Sequence, residues 1–154
     1  MQFNHICFMT SDVEKSKKLW CDLLGFHVLT ERVIPDGDGP DSYFNQQTLD
    51  DIFHVKNSKS ICVVLQDDEG TSIELEQSLN PAPKQTPKEE LQYLNTGVHE
   101  VALTVTNIDE WFEKVKAAGY ELQTPYVWHA KGLYVRSFLF YDHDNNMIQL
   151  VEYD

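Results

Sequence analysis

The order of elements in the first 77 residues is written again after residue 95, and this internal repeat constrains the fold more than any other feature of the chain. In the first copy Gln2 to Met9 alternates as a strand, with Phe3, His5, Cys7 and Met9 on one face and Ile6 and Phe8 on the other. Ser11 with Glu14 reads as a capping box. Val13, Ser16, Trp20, Leu23 and Leu24 then keep helical spacing until Gly25 stops the helix. Phe26 to Ile34 returns to strand character, Pro35 to Ser42 loops, and Thr48 to Val55 forms a short helical turn. Ser60 to Leu65 is an apolar strand, and after a turn at Glu69 and Gly70 comes the strand holding Ile73, Glu74 and Leu75.

A polar stretch with Pro81, Pro83 and Pro87 separates the copies and reads as a linker over about 78–95. The second copy opens with a strand at Val98 to Val105 bearing His99. A helix follows, with Ile108, Trp111, Phe112 and Val115 at amphipathic spacing and Gly119 as its stop. A strand from Tyr120, a loop with Trp128 and His129, a strand around Leu133 to Tyr141 and a last strand from Met147 to Tyr153 complete it. Overlaying the copies pairs His5 with His99 and Gly25 with Gly119 at a separation of 94, and Glu74 with Gln149 at 75. The first copy is therefore 19 residues longer, 94 against 75, and the excess falls between Pro35 and Ser60. Each half reads strand, helix, then about three strands. Neither buries its sheet face well alone, so the expected fold is α+β: two paired modules, about 1–77 and 96–154, in a single domain spanning 1–154.

Charge narrows the partners. A net charge of -13 repels a phosphate backbone and an anionic membrane surface, so no nucleic acid and no membrane partner is expected. The chain has no basic segment leading into a long apolar run, and its three cysteines, Cys7, Cys21 and Cys62, are widely spaced without a paired-cysteine motif. These features read as a cytoplasmic protein with free thiols.

The repeat sets four polar side chains at equivalent strand positions: His5 and Glu74 in one half, His99 and Gln149 in the other. Each alone has an ordinary structural explanation, a hydrogen-bonded strand histidine or a glutamate on a solvated face. Together they form a mixed nitrogen and oxygen donor set suited to one divalent first-row ion: Ni, Co, Zn, Mn or Fe.

The chain resembles the vicinal oxygen chelate superfamily, which includes glyoxalase I, methylmalonyl-CoA epimerase, extradiol dioxygenases and the bleomycin and fosfomycin resistance proteins. The resemblance rests on His5 opening the first strand, the helix end Leu23, Leu24, Gly25 and Phe26, the Ile73 to Leu75 strand, His99, and the segment Tyr141 to Leu150. The last segment is similar to the family's Asp-Pro-Asp-Gly-Asn turn, with His143 in place of the proline and Asn145 in place of the glycine. Asparagine tolerates the left-handed conformation, so the turn is expected to survive. The resemblance implies two βαβββ modules forming a curved sheet around a central cleft, a metal held at His5, Glu74, His99 and Gln149, and a homodimer. It also marks a departure. Where glyoxalase I and the epimerase have a glutamate that serves as ligand and proposed base, this chain has Gln149, and an amide cannot take up a proton at neutral pH.

The leading expectation is therefore an enzyme of glyoxalase-like lyase or isomerase/epimerase type that takes a proton from carbon next to a carbonyl of a small oxygenated substrate, with Glu74 as the base. Two alternatives stand beside it: an extradiol-type ring-cleaving dioxygenase with Fe(II) held by His5, His99 and Glu74, and an antibiotic-resistance protein that sequesters its ligand. Substrate contacts are expected from Cys7 on the face of His5, from Tyr43 and Phe53 in the 35–60 insertion, and from His129, Tyr134 and Arg136 in the second copy.

Overall fold

The computed structural model describes residues 3–154 and divides into two compact units, Met1–Gln85 and Thr86–Asp154. Gln2, at the head of the first expected strand, lies outside the described residues.

In the first unit, β1 (His5–Met9) leads to a helix that starts as α1 (Val13–Lys17) and continues as a π-helix over Lys18–Leu23. Asp12, not Ser11, is the N-cap: its Oδ1 accepts the amides of Glu14 and Lys15, both at 3.1 Å. The Val13 amide donates to Gln77 Oε1 at 2.8 Å, which ties the helix start to the sheet. Gly25 ends the helix at φ +86°, a conformation that favours glycine. β2 (His27–Ile34), α2 (Gln46–Phe53), β3 (Lys59–Gln66) and β4 (Ser72–Asn80) follow. The helix at α2 begins and ends two residues earlier than the sequence suggests, because Asn45 accepts the Thr48 amide and caps it.

The strands order as β1-β4-β3-β2, with β1 and β4 parallel and the other pairs antiparallel. Side chains alternate between the faces of this sheet. Ile73, Leu75, Val63 and Leu65 share the buried face, and the helix lies against β4. Trp20 is 1% exposed and sits between Phe8 and Phe26, with ring centroids 5.4 and 5.3 Å away. The opposite face carries His5, Cys7 and Met9 on β1 and Ser72, Glu74 and Glu76 on β4. Its β2–β3 end is covered by α2, where Leu49, Phe53 and the preceding Phe44 pack on Ile34 and Cys62.

The second unit repeats this plan with β5 (Glu100–Thr104), α3 (Ile108–Ala117), β6 (Glu121–Leu122), β7 (Trp128–Ala130), β8 (Val135–Tyr141) and β9 (Met147–Tyr153). The order is β5-β9-β8-β6, with β5 and β9 parallel and β7 also paired to β8. Trp128 and His129, read from sequence as loop residues, thus belong to a strand. Ile108, Phe112 and Val115 of α3 are buried with Phe138, Phe140, Ile148 and Leu150, and the Phe112 and Phe138 rings meet edge to face at 5.2 Å. Residues 86–95, read as linker, fold onto this unit and include a 3-10 helix at Lys88–Leu91.

Both units therefore follow a βαβββ plan around a mixed sheet, with α2 added in the first and the short β7 in the second, in an α+β architecture.

Candidate functional site

In the first unit the sheet face away from the helix carries His5, Glu74 and Glu76, whereas in the second the corresponding face holds Glu100 and Gln149 beside a buried apolar cluster of Leu139, Tyr141 and Met147; strand register identifies which residues share each face. In the first unit Cys7 pairs with Glu74 and His5 with Ser72 across the parallel β1–β4 ladder. His5 and Glu74 therefore lie on one face of adjacent strands, two positions apart in register. His5 is exposed, and its Nδ1 lies 2.5 Å from Asn4 Oδ1.

A denser group sits beside them. Cys7 Sγ and carboxylate oxygens of Glu74 and Glu76 all lie within 4.8 Å of one another. Glu76 Oε1 is buried and has no hydrogen-bond partner among the described residues. Burial raises the Glu76 carboxyl above its ordinary range; the Ser60 hydroxyl opposes that rise and the nearby Glu74 charge adds to it. Burial likewise pushes the Cys7 thiol up, with a hydrogen bond and charge from Glu74 in the same direction, and pushes Cys62 up to about 12. Both thiols stay protonated at neutral pH. They are weak donors toward Glu74, not nucleophiles.

In the second unit Gln149 pairs with Ala102 on one side and Leu139 on the other. The residue on its face that stands where His5 stands relative to Glu74 is Glu100, two positions before Ala102. His99, expected there from the sequence, immediately precedes β5 and alternates away from Gln149. Its Nδ1 lies 3.1 Å from the Leu91 carbonyl and its Nε2 2.5 Å from the Asn95 carbonyl. Both ring nitrogens are thus turned to backbone carbonyls of residues 91–95, and a neutral imidazole can donate to one of them.

The one-residue displacement has a local cause. Val13 begins its helix 8 residues after His5, and Ile108 begins its helix 8 residues after Glu100. Gly25 then follows His5 by 20 residues, whereas Gly119 follows Glu100 by 19. The additional residue falls in the first helix, the one with a π-helical stretch. A π-bulge is how a helix takes in a single inserted residue.

The remaining expected contacts separate. Tyr43 lies on the sheet at β2, its hydroxyl 2.9 Å from Thr30 Oγ1 and its ring 4.3 Å from the Arg32 guanidinium. Phe53 is part of the α2 packing cluster. Arg136 faces the helix side of its sheet, paired to Asp109 of α3 at 2.6 Å and Glu152 at 3.4 Å, so its charge is already matched. His129 pairs with Arg136 in register, shares that side, and binds Asp154 at 2.9 Å. Tyr134 stands outside the strands at φ 55° and is 70% exposed. Sequence reasoning passed over Glu76 and Glu100; alternation from Glu74 would have found the first, but the second needed the register.

Two mixed-sheet βαβββ units define a class of small α+β proteins. The model of the Glyoxalase/Bleomycin resistance protein/Dioxygenase superfamily matches residues 2–150, and the chain belongs to that superfamily. No curated protein matches the chain. Among solved structures, a glyoxalase family protein from Bacillus cereus is similar at TM-score 0.81 and 14% identity, covering 99% of this chain and 94% of that one. FosX, a fosfomycin resistance protein from Listeria monocytogenes complexed with Mn(II) and sulfate, is similar at TM-score 0.60 and 18% identity, covering 99% and 93%. TnmS3, an antibiotic binding protein from a Streptomyces species, is similar at TM-score 0.61 and 15% identity, covering 100% and 97%. At these identities the likeness concerns the fold. No helix among the described residues is long and apolar enough to cross a membrane.

Proposed function

We propose that the protein is a divalent-metal-dependent enzyme that removes a proton from carbon next to a carbonyl in a small oxygenated substrate, by lyase or isomerase/epimerase chemistry, with Glu74 as the base. The observation that carries this reading is the gathering of Cys7, Glu74 and Glu76 around an orphaned, buried carboxylate oxygen, on the face that also bears His5. Two half-buried carboxylates held close together, one with a buried and unpartnered oxygen, call for a cation or a proton, and the first unit fits a metal. The second unit fits one through Glu100 and Gln149 instead of His99 and Gln149. The first unit then offers one imidazole and two carboxylates, from His5, Glu74 and Glu76, and the second one carboxylate and one amide oxygen, from Glu100 and Gln149. So oxygen-rich a set favours Mn(II) or Fe(II) over softer or more nitrogen-seeking ions among those expected.

A bound divalent ion supplies positive charge to offset the negative charge that develops on the substrate's carbonyl oxygen. Glu74 takes the proton from the adjacent carbon and returns it to the same or a neighbouring carbon. The Cys7 thiol, opposite Glu74 in the ladder, orients the carboxylate through a weak hydrogen bond. Gln149 would hold the ion through its amide oxygen, and it takes no proton. The protein is placed in the cytoplasm as a homodimer acting on a small molecule; its acidic charge and free cysteines support the compartment, and light scattering tests the dimer.

Metal analysis of protein purified without chelators tests the site. Bound Mn or Fe, lowered in His5→Ala and in Glu100→Ala, is the expected result. Solvent deuterium exchange into α-hydroxyketone probes tests the base: exchange persisting in Glu74→Gln removes Glu74 from that role.

The ring-cleaving alternative drew on two imidazoles and a carboxylate. With both His99 nitrogens against backbone carbonyls it has only one imidazole left, and we do not propose it. The ligand-sequestering reading keeps one observation in its favour, the uncharged Gln149 in the second unit. Ligand affinity unchanged by removal of metal would select it.

A further inference from the structure

Residues 88–95 form a strap against the second unit. The Lys88 ammonium lies 3.9 Å from the Tyr141 ring centroid and 2.6 Å from Glu121 Oε1. The Tyr141 hydroxyl is 3.3 Å from Gln92 Oε1, and Asn95 Nδ2 donates to the Glu89 carbonyl at 2.9 Å. His99 then grips the strap on both sides of Tyr93: its two nitrogens meet the carbonyls of Leu91 and Asn95, two residues before and two after. Its ring also lies 5.8 Å from that of Tyr93. Tyr93, so bracketed, donates its hydroxyl to Glu100 Oε2.

We propose that Tyr93 is the positioning residue for Glu100, and that His99 serves the site from outside, by stapling the strap that carries Tyr93. A glutamate at the start of an edge strand has several rotamers open to it, and a metal ligand must be confined to one. The phenol holds one carboxylate oxygen and leaves the other to a cation. Carboxylate ligands are commonly fixed in this way by a hydrogen bond from an outer residue, and loss of such a partner weakens metal affinity about 10- to 100-fold. The histidine that the sequence offers as a ligand is thus one layer removed from the metal, acting through Tyr93. This inference rests on Glu100 being a ligand.

The experiment is titration of the full-length, metal-free protein with Mn(II), followed by electron paramagnetic resonance of free Mn(II) and by thermal unfolding without metal. In Tyr93→Phe the expected result is affinity lowered about 10- to 100-fold with the metal-free unfolding midpoint held within a few degrees. His99→Ala is expected to weaken binding similarly, and the double variant to be no weaker than the worse single one, since both act through one contact. Affinity in Tyr93→Phe within twofold of wild type overturns the inference while the metal site stands. Tighter binding in Tyr93→Phe also overturns it, because Tyr93 would then restrain Glu100 from the metal. Wild-type protein that binds no Mn(II), with Glu100→Ala no different, overturns the metal reading and this inference with it.

Discussion

At the scale of single residues, the difference between His99 and Glu100 decides what the second unit offers a ligand. Both are polar and adjacent, and only the pairing of Ala102 with Gln149 says which one shares Gln149's face. Glu100→Ala is expected to lower Mn(II) affinity at least as much as any change at His99, measured by the same titration. Asn145 shows the opposite case, a residue whose role was readable. It sits at φ 67° in the turn between β8 and β9, where Asp142 Oδ1 accepts the amides of Asp144 and Asn146 at 2.9 and 2.8 Å. An alanine there meets the left-handed penalty, so Asn145→Ala should lose about 1 kcal/mol of stability in denaturant unfolding while Asn145→Gly stays near wild type.

Elements add what single residues do not show. The first helix is anchored by Trp20, whose ring fills the space between Phe8 and Phe26, and Trp20→Ala should cost about 3–5 kcal/mol by urea denaturation. The 35–60 insertion is held at its start by Asp36, which accepts the Tyr43 and Phe44 amides at 2.8 and 3.1 Å and pairs with Arg32 at 3.0 Å. Burial works against its charge, but the Phe44 amide, the Arg32 guanidinium and the Tyr43 amide outweigh it, and the carboxyl lies below its ordinary range. A carboxyl depressed on folding contributes stability above its unfolded value, near pH 3.8, and loses it as pH falls through the lower folded value. The stability difference between wild type and Asp36→Asn is therefore expected to be full at pH 5 and to shrink below about pH 4 in acid-unfolding curves. Helices and central strands were legible from periodicity because each buries a face. Less legible were β7, three residues paired only to β8, and the strap at 88–95, whose contacts are polar and lie far along the chain.

For the whole molecule, a net charge of -13 draws cations and repels polyanions. Mn(II) association is expected to slow as ionic strength rises, by stopped-flow fluorescence, because salt shortens the reach of that field. A metal that binds only the folded state also stabilises it, so chelation should lower the unfolding midpoint; free metal at 100 times its Kd corresponds to about 2.7 kcal/mol. A midpoint indifferent to both chelator and added Mn(II) would count against the site. Taken alone, the order of hydrophobic and polar residues determined two βαβββ units, their glycine stops and the Glu74–Gln149 pair, because burial periodicity and turn chemistry are local. Which residue stands beside Gln149 was decided only in the tertiary structure. A residue taken up in a π-helix moves the numbering of one copy against the other, and in a strand a shift of one residue turns every side chain to the opposite face.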